Sequence, residues 1–396
     1  MKTKILCLAL LSTITLYSQT QIGTDIDGEA EGDSSGISIS LSSDGNTLAI
    51  GASRNDDSAT NSGHVRVYNN INGVWTQIGA DIDGEAPGDN SAESISLSAD
   101  GNVVAIGAHR NDGNGELSGH VRVYQNLLGV WTKIGNDIDG EAAGDQSGYS
   151  VSLSADGSIL AIGARYNDGN GSNSGHVRIY QNISGVWTQI GTDIDGEAAG
   201  DYSGVSVSLS SSGNIVAIGA EGNDANGSAS GHVRLYQNIS GVWTQIGDDI
   251  DGEAEYNNSG ASISLSTDGN IVAIGAEYNN GNGSISGHVR IYQNISGIWT
   301  QIGADIDGES ANDYSGISVS LSSEGSIVAI GANENDGNGS EAGHVRIYQN
   351  ISGVWTQVGT DIDGEAAGDE SGYSVSLSSD GSVVAIGAYA NNSYTG

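Results

Sequence analysis

The feature that most constrains this chain is a 56-residue repeat that runs from end to end without a single insertion. The triplet Gly-His-Val begins at Gly63, Gly119, Gly175, Gly231, Gly287 and Gly343, and Trp75, Trp131, Trp187, Trp243, Trp299 and Trp355 keep the same step. Asp-Ile-Asp-Gly occurs seven times, starting at Asp25, Asp81, Asp137, Asp193, Asp249, Asp305 and Asp361. Self-similarity at a fixed period of this size means one supersecondary unit copied and stacked on itself, which leaves no separate catalytic domain or linker.

One unit, residues 137–191, reads as four short strands. Tyr149, Val151 and Leu153 alternate with Ser150, Ser152 and Ser154, which is the period of a strand. Asp156-Gly157 is a tight hairpin turn, Ile159 to Ala164 a second strand, and Asn167-Asp168-Gly169-Asn170-Gly171 a longer loop. His176 to Tyr180 alternates again as a third strand, Ser184-Gly185 turns the chain, and Val186 to Ile190 forms the fourth. Helical periodicity is missing throughout. Four antiparallel strands per repeat joined by short turns describe a propeller blade, so the expected fold class is all-β, a β-propeller of four-stranded antiparallel blades. A β-solenoid is the main rival, but 56 residues is long for one of its coils, and a sandwich needs no fixed period. Six copies are complete. The seventh runs from Asp361 to the end of the sequence, while Thr20-Gln21-Ile22-Gly23 matches the tail of a Trp strand. The expectation is therefore seven blades with the seventh incomplete, the N-terminal segment supplying its outer strand. The domain assignment is residues 1–18 as a leader and 19–396 as one propeller.

The leader rests on Lys2 and Lys4 ahead of an apolar run from Ile5 to Leu16, with small Ser18 placed for cleavage. That run is too short to span a bilayer, and no membrane span is expected in the mature chain. A secreted or cell-surface location follows. Past Cys7 the chain has no cysteine, which excludes thiol catalysis and zinc–thiolate sites. Twelve Lys+Arg stand against 49 Asp+Glu, a net charge of −37, which repels nucleic acid and suits cations.

The run Ser174-Gly175-His176-Val177-Arg178-Ile179-Tyr180, preceded by Ala161-Ile162-Gly163-Ala164 and by Asn167-Asp168-Gly169-Asn170-Gly171, resembles the FG-GAP repeat, the unit of integrin-α-type propellers found also in exported bacterial surface proteins. The resemblance implies a seven-bladed propeller used for adhesion or protein contact, often with calcium in blade loops. The Phe-Gly of the family stands here as Ser147-Gly148-Tyr149 or Ser35-Gly36-Ile37, and its calcium loop is reduced to Asp156-Gly157 and equivalents, so that calcium site does not carry over.

A different loop is the metal candidate. Asp137, Asp139, Glu141 and Asp145 place carboxylates at positions 1, 3, 5 and 9, a spacing that lets a turning backbone converge oxygens on one hard cation, Ca2+. The equivalents are Asp25, Asp27, Glu29 and Asp33; Asp81, Asp83, Glu85 and Asp89; Asp193, Asp195, Glu197 and Asp201; Asp305, Asp307, Glu309 and Asp313; and Asp361, Asp363, Glu365 and Asp369. The fifth copy has Asn257 at position 9. The alternative is that these carboxylates cap turns by accepting backbone N–H bonds. His176, Arg178 and Tyr180 share one side of the third strand in six copies, which reads as structural, with Arg178 pairing to an acidic loop; Trp187 reads as packing between blades. Ser154-Ala155-Asp156-Gly157 resembles a sialidase Asp box without its spacing, and the period is too long for WD40 units of about 40–45 residues.

The expected function is a non-catalytic binding or adhesion propeller for an extracellular protein or glycan. A structural surface repeat is one alternative and a glycan-active enzyme another. The near-identity of the blades speaks against the enzyme, since catalysis needs a few unique residues. The most variable positions, among them Glu116-Leu117, Tyr166 and Glu221-Gly222, fall between strands two and three.

Overall fold

The computed structural model describes residues 19–391; the leader assigned to residues 1–18 lies outside them. In the third repeat the strands are Ser150–Leu153, Ile159–Ala164, His176–Ile183 and Val186–Gln189, paired antiparallel in sequence order. A fifth strand of two residues, Ile194–Asp195, pairs with the near end of His176–Ile183, beside the part that takes the Trp strand. The third strand is eight residues long, so its outer edge is shared: Tyr180 to Ile183 face the Trp hairpin, while His176 and Val177 face the start of the next acidic loop. Six sheets have this build.

Alternation along these strands decides what the blades share. Val121, Val123 and Ile138 of one blade pack with Val151, Leu153, Leu160 and Ile162 of the next, and Trp187 lies against the same cluster. The Trp187 indole donates to the Ile134 carbonyl one repeat earlier at 3.0 Å, so each tryptophan joins two blades, as its spacing led us to expect.

The inner strands carry serine because neighbouring blades approach there with backbone almost touching backbone. Ser150 Oγ donates to the Gly204 carbonyl of the next blade at 2.8 Å, and the Leu153 N–H donates to Ser96 Oγ of the previous one at 2.9 Å. At the hairpin end, Ser43 N–H donates to the Ala99 carbonyl, Ala99 to Ala155, Ala155 to Ser211, Ser211 to Thr267, Thr267 to Ser323, Ser323 to Ser379, and Ser379 back to Ser43 at 2.8 Å. The last bond closes the ring.

The blade count differs from the expectation. There are six blades of antiparallel sheets; the seventh repeat contributes only Ser374–Leu377 and Val384–Gly387, a two-stranded sheet, since the described residues hold no third strand to pair with the second. This pair still fills its sector. Leu377 N–H donates to Ser320 Oγ, and Ser374 Oγ donates to the Gly36 carbonyl of the first blade at 2.7 Å. Gln19 stands where a seventh tryptophan would: its amide donates to the Val358 carbonyl at 3.2 Å, the bond that each indole makes one repeat earlier. The segment Gln19–Ile22 occupies the outer position without forming a strand.

Candidate functional site

The two ends of the channel differ in chemistry. The hairpin end is a hollow of about 180 Å³ lined by Ser43, Ala99, Ala155, Ser211, Thr267, Ser323, Ser379 and the leucines before them, with no ionisable side chain. At the other end the inner strands begin and the second strands finish. Ser150 pairs with Gly163, which brings Tyr149 beside Arg165. The repeats differ strongly at these two positions. The first holds Ile37, Glu93, Tyr149, Val205, Ala261, Ile317 and Tyr373; the second holds Ser53, His109, Arg165, Glu221, Glu277, Asn333 and Tyr389.

The unlike residues meet around the axis. The Arg165 guanidinium lies 3.6 Å from the centre of the Tyr149 ring and 4.6 Å from that of Tyr166. His109, from the preceding repeat, meets Tyr149 edge-on at 5.6 Å. Opposite, Tyr389 donates to Glu370 Oε2 at 2.7 Å, Asn333 donates to the same oxygen at 3.2 Å, and the Tyr373 and Tyr389 rings are 4.6 Å apart. Glu277 is buried, and its Oε2 has no hydrogen-bond partner; Arg165 Nε, His109 Nδ1 and Gln146 Oε1 are buried without partners as well. Buried polar atoms are nearly always paired, so each of these orphans points to a ligand or to ordered water.

Electrostatics ties the group together. Burial, and then the charge of Glu221, push the Glu277 carboxyl up to about 8. Burial raises Glu221 too, against the opposing pull of Arg165. His109 is pushed down to about 3 by burial and then by Arg110 and Arg165, so its imidazole is neutral. Burial lifts the Tyr149 phenol to about 12. Tyr373 is raised first by burial, then by Glu93, Tyr149, Glu277 and Glu370, so groups from three other repeats and its own act on one phenol across the axis. The rim is strained. Gln146, Tyr202, Tyr314 and Glu370 hold φ between 53° and 56°, a left-handed conformation costing each non-glycine residue roughly 1–2 kcal/mol. The sequence reading named Tyr166 and Glu221 but missed Arg165, Glu277, His109, Tyr149 and Tyr373. The signal was available in the seven copies laid in register.

The acidic loops run from the outer edge of one blade over this face to the inner strand of the next. The structure gives the four acidic residues of a loop separate tasks. At position 9, Asp33, Asp89, Asp145, Asp201, Asp313 and Asp369 are buried and take the N–H three residues back, as Ala142 N–H does to Asp145 at 3.0 Å. At position 1, Asp25, Asp81, Asp193, Asp305 and Asp361 accept from Gln21, Gln77, Gln189, Gln301 and Gln357, and Asp137 from Lys133. At position 3, the backbone carbonyls of Asp27, Asp83, Asp139, Asp195 and Asp307 accept from Arg66, Arg122, Arg178, Arg234 and Arg346; the Asp363 side chain is exposed. At position 5, Glu29, Glu85, Glu141, Glu197 and Glu309 pair with those same arginines at 3.4–3.8 Å, while Glu365 is exposed.

What the fold does bring together is position 5 of one loop and position 1 of the next, on either side of the third-strand histidine. Glu141, His176 and Asp193 form such a group, as do Glu85, His120 and Asp137; Glu197, His232 and Asp249; Glu253, His288 and Asp305; and, with Asp57 added, Glu29, His64 and Asp81. Each offers one nitrogen and two carboxylate oxygens, three in the group with Asp57, within reach of a single metal ion.

A closed ring of antiparallel blades around an axis with one chemically distinct mouth defines a β-propeller. A family model for the FG-GAP repeat matches residues 138–180, from the acidic loop through the third strand, so this stretch of the β-propeller is similar to that repeat. Two solved structures share the fold: the periplasmic gluconolactonase of Pseudomonas aeruginosa, 14% identical, with 88% of this chain and 87% of that one covered and a TM-score of 0.57; and a putative 6-phosphogluconolactonase from Bacteroides uniformis, 12% identical, covering 89% and 88%, with a TM-score of 0.58. A sequence comparison with curated proteins found no match. Among the described residues no helix is long and apolar enough to cross a membrane.

These findings correct the expectation of a chain without catalysis. It rested on blades too alike to build an active site. Unlike residues do gather at the axial mouth, and the two propellers described above carry the names of lactone hydrolases.

Proposed function

We propose that the chain is an exported hydrolase acting on a sugar lactone, with its active site at the axial mouth. The observation that carries this reading is the pair of carboxyls at one position of successive repeats, half-buried Glu221, which feels the Arg165 guanidinium, and buried Glu277, which feels Glu221. Two carboxyls whose surroundings separate their protonation suit acid–base work. Glu221, facing Arg165, takes a proton from water as that water attacks the lactone carbonyl. Arg165 receives the oxyanion of the tetrahedral intermediate. Glu277, protonated at neutral pH, gives its proton to the ring oxygen as the ester C–O bond breaks, leaving a hydroxy acid. Tyr166 and Tyr202, edge-on at 5.6 Å, and Tyr278 and Tyr314 at 5.5 Å supply aromatic faces around the mouth suited to a sugar. The lactonase neighbours support the substrate class through the shared fold, and the periplasmic one together with Lys2, Lys4 and the apolar run after them supports export.

The test is proton release by the purified chain on D-glucono-δ-lactone and a panel of other sugar lactones. Saturable hydrolysis above the spontaneous rate is expected, with Glu221→Gln lowering kcat about 10²–10⁴-fold, the usual worth of a general base. Activity should fall as pH rises past about 8, where Glu277 loses its proton, and Glu277→Gln should lose that limb along with most of the rate. A folded protein giving only background on the whole panel, or an undiminished Glu221→Gln, would sink the proposal.

A further inference from the structure

We infer that the Glu–His–Asp groups between successive acidic loops bind divalent transition-metal ions of the zinc type, one ion to each group, and so clasp the loops around the ring. The inference is independent of the lactonase reading. In the group of the fourth repeat, His232 is fully buried, yet its Nδ1 has no hydrogen-bond partner. That nitrogen faces Asp249 Oδ2 at 3.8 Å and Glu197 Oε2 at 4.0 Å. These separations are too long for hydrogen bonds. Donors at zinc distances of 2.0–2.1 Å in tetrahedral array stand about 3.3 Å apart, so an ion between them needs each side chain to move by only a few tenths of an ångström.

The remaining oxygens are already held. Asp249 Oδ1 accepts from Gln245 at 2.6 Å, and Glu197 Oε1 faces Arg234 Nη1 at 3.5 Å. Such outer partners orient ligating carboxylates and leave Oδ2 and Oε2 turned toward the imidazole. The arrangement recurs at His176 and at His288, whose Nδ1 atoms stand 3.8–3.9 Å from their two carboxylates. At His64 the Nδ1 is again buried and unpartnered. Two carboxylates against one arginine leave a negative site that a cation completes. One imidazole nitrogen with two single oxygens suits zinc or its neighbours, whereas calcium takes six to eight oxygens. Calcium, the ion first suggested by the loop spacing, therefore becomes the competing arm of the test. The second repeat offers a built-in control. There Lys133 replaces the glutamine and places an ammonium 2.8 Å from Asp137, which should weaken binding at His120.

The full chain, stripped with chelator and dialysed against zinc, should retain several equivalents by elemental analysis, and cobalt in its place should give the visible spectrum of a four-coordinate nitrogen–oxygen site. His232→Gln and Asp249→Asn should each remove one equivalent. Gln245→Ala should keep that equivalent but weaken it about ten- to hundredfold, and Lys133→Gln should tighten the site at His120. Should His232→Gln fail to fold, Asp249→Asn, which keeps the shape of the loop, carries the test. A folded chain that retains no zinc, an unchanged stoichiometry in both variants, or displacement of zinc by equimolar calcium would each overturn the inference.

Discussion

Burying Glu277 makes the stability of the whole ring depend on pH in a direction that can be worked out beforehand. An unfolded glutamate titrates near 4.5, and in the fold this one titrates near 8 because burial and the Glu221 carboxylate oppose its charge. The folded protein therefore holds a proton that the unfolded chain releases. The stability this contributes is fully present below about pH 4.5, declines as pH rises toward 8, and is lost above it. At roughly 1.4 kcal/mol per unit of pKa, the window is worth on the order of 5 kcal/mol, a ceiling that water entering beside the ionised carboxylate would reduce. Glu277→Gln has the same shape and no proton to lose. Urea unfolding of the two proteins at a series of pH values should give curves that run together near pH 4.5 and diverge until about 8, the variant being the more stable, and then stay parallel. Glu221→Gln, which removes the second cause of the shift, should narrow the divergence in the wild-type Glu277 background. If the two proteins lose stability in parallel from pH 5 to 9, Glu277 is ionised in the fold, and the acid role given to it fails as well.

Two further outcomes follow from the ring itself. Trp243→Phe removes the 2.9 Å bond from the indole to the Ile190 carbonyl of the previous blade together with part of the packing, and should cost about 1–2 kcal/mol, read as a lower urea midpoint at an unchanged slope; an unchanged midpoint would mean that the tryptophans do not couple blades. Gln19→Trp places an indole where the other six repeats carry one, beside the Val358 carbonyl, and should raise the unfolding free energy by about 1 kcal/mol through added apolar burial, read as a higher urea midpoint; a loss of stability would show that this segment does not fill the outer position of the seventh sector.

The fold was legible because each blade obeys local rules that repeat. Period-two alternation placed the strands, Asp156-Gly157 placed a turn, and the constant step of the tryptophans announced contacts between neighbours. The two-residue strand Ile194–Asp195 was not legible, since two residues carry no periodicity; it exists because the long third strand has spare edge for it. The acidic loop misled for a related reason. A spacing of 1, 3, 5 and 9 resembles a cation loop only if the backbone converges all four side chains, and here positions 1 to 3 lead into a short strand while Asp145 caps the turn that follows. Its carboxylates consequently meet side chains of other elements, and Glu197 finds the next loop's Asp249 across His232. No local pattern could have given that pairing.

The candidate site was hidden by the strength of the repeat. Reading one unit as typical of all directs attention to what is shared, and what is shared here serves structure: Ser150 seals one inner strand to the next, Asp145 holds its turn, and Arg178 binds the loop that crosses the blade. Rotational packing copies every such position around the axis at equal radius. At the periphery those copies are far apart, so a single exception such as Leu128 changes only its own blade. At the axis they converge, and exceptions from different repeats become neighbours. Glu221 and Glu277 occupy the same position in successive units, yet the charge of Glu221 raises the Glu277 carboxyl, and Tyr373 feels the charges of Glu93 and Glu277 from the far side. A ring of near-identical blades thus has one place where a few substitutions can build an asymmetric site without disturbing the packing that closes the ring, and this chain has made its substitutions there.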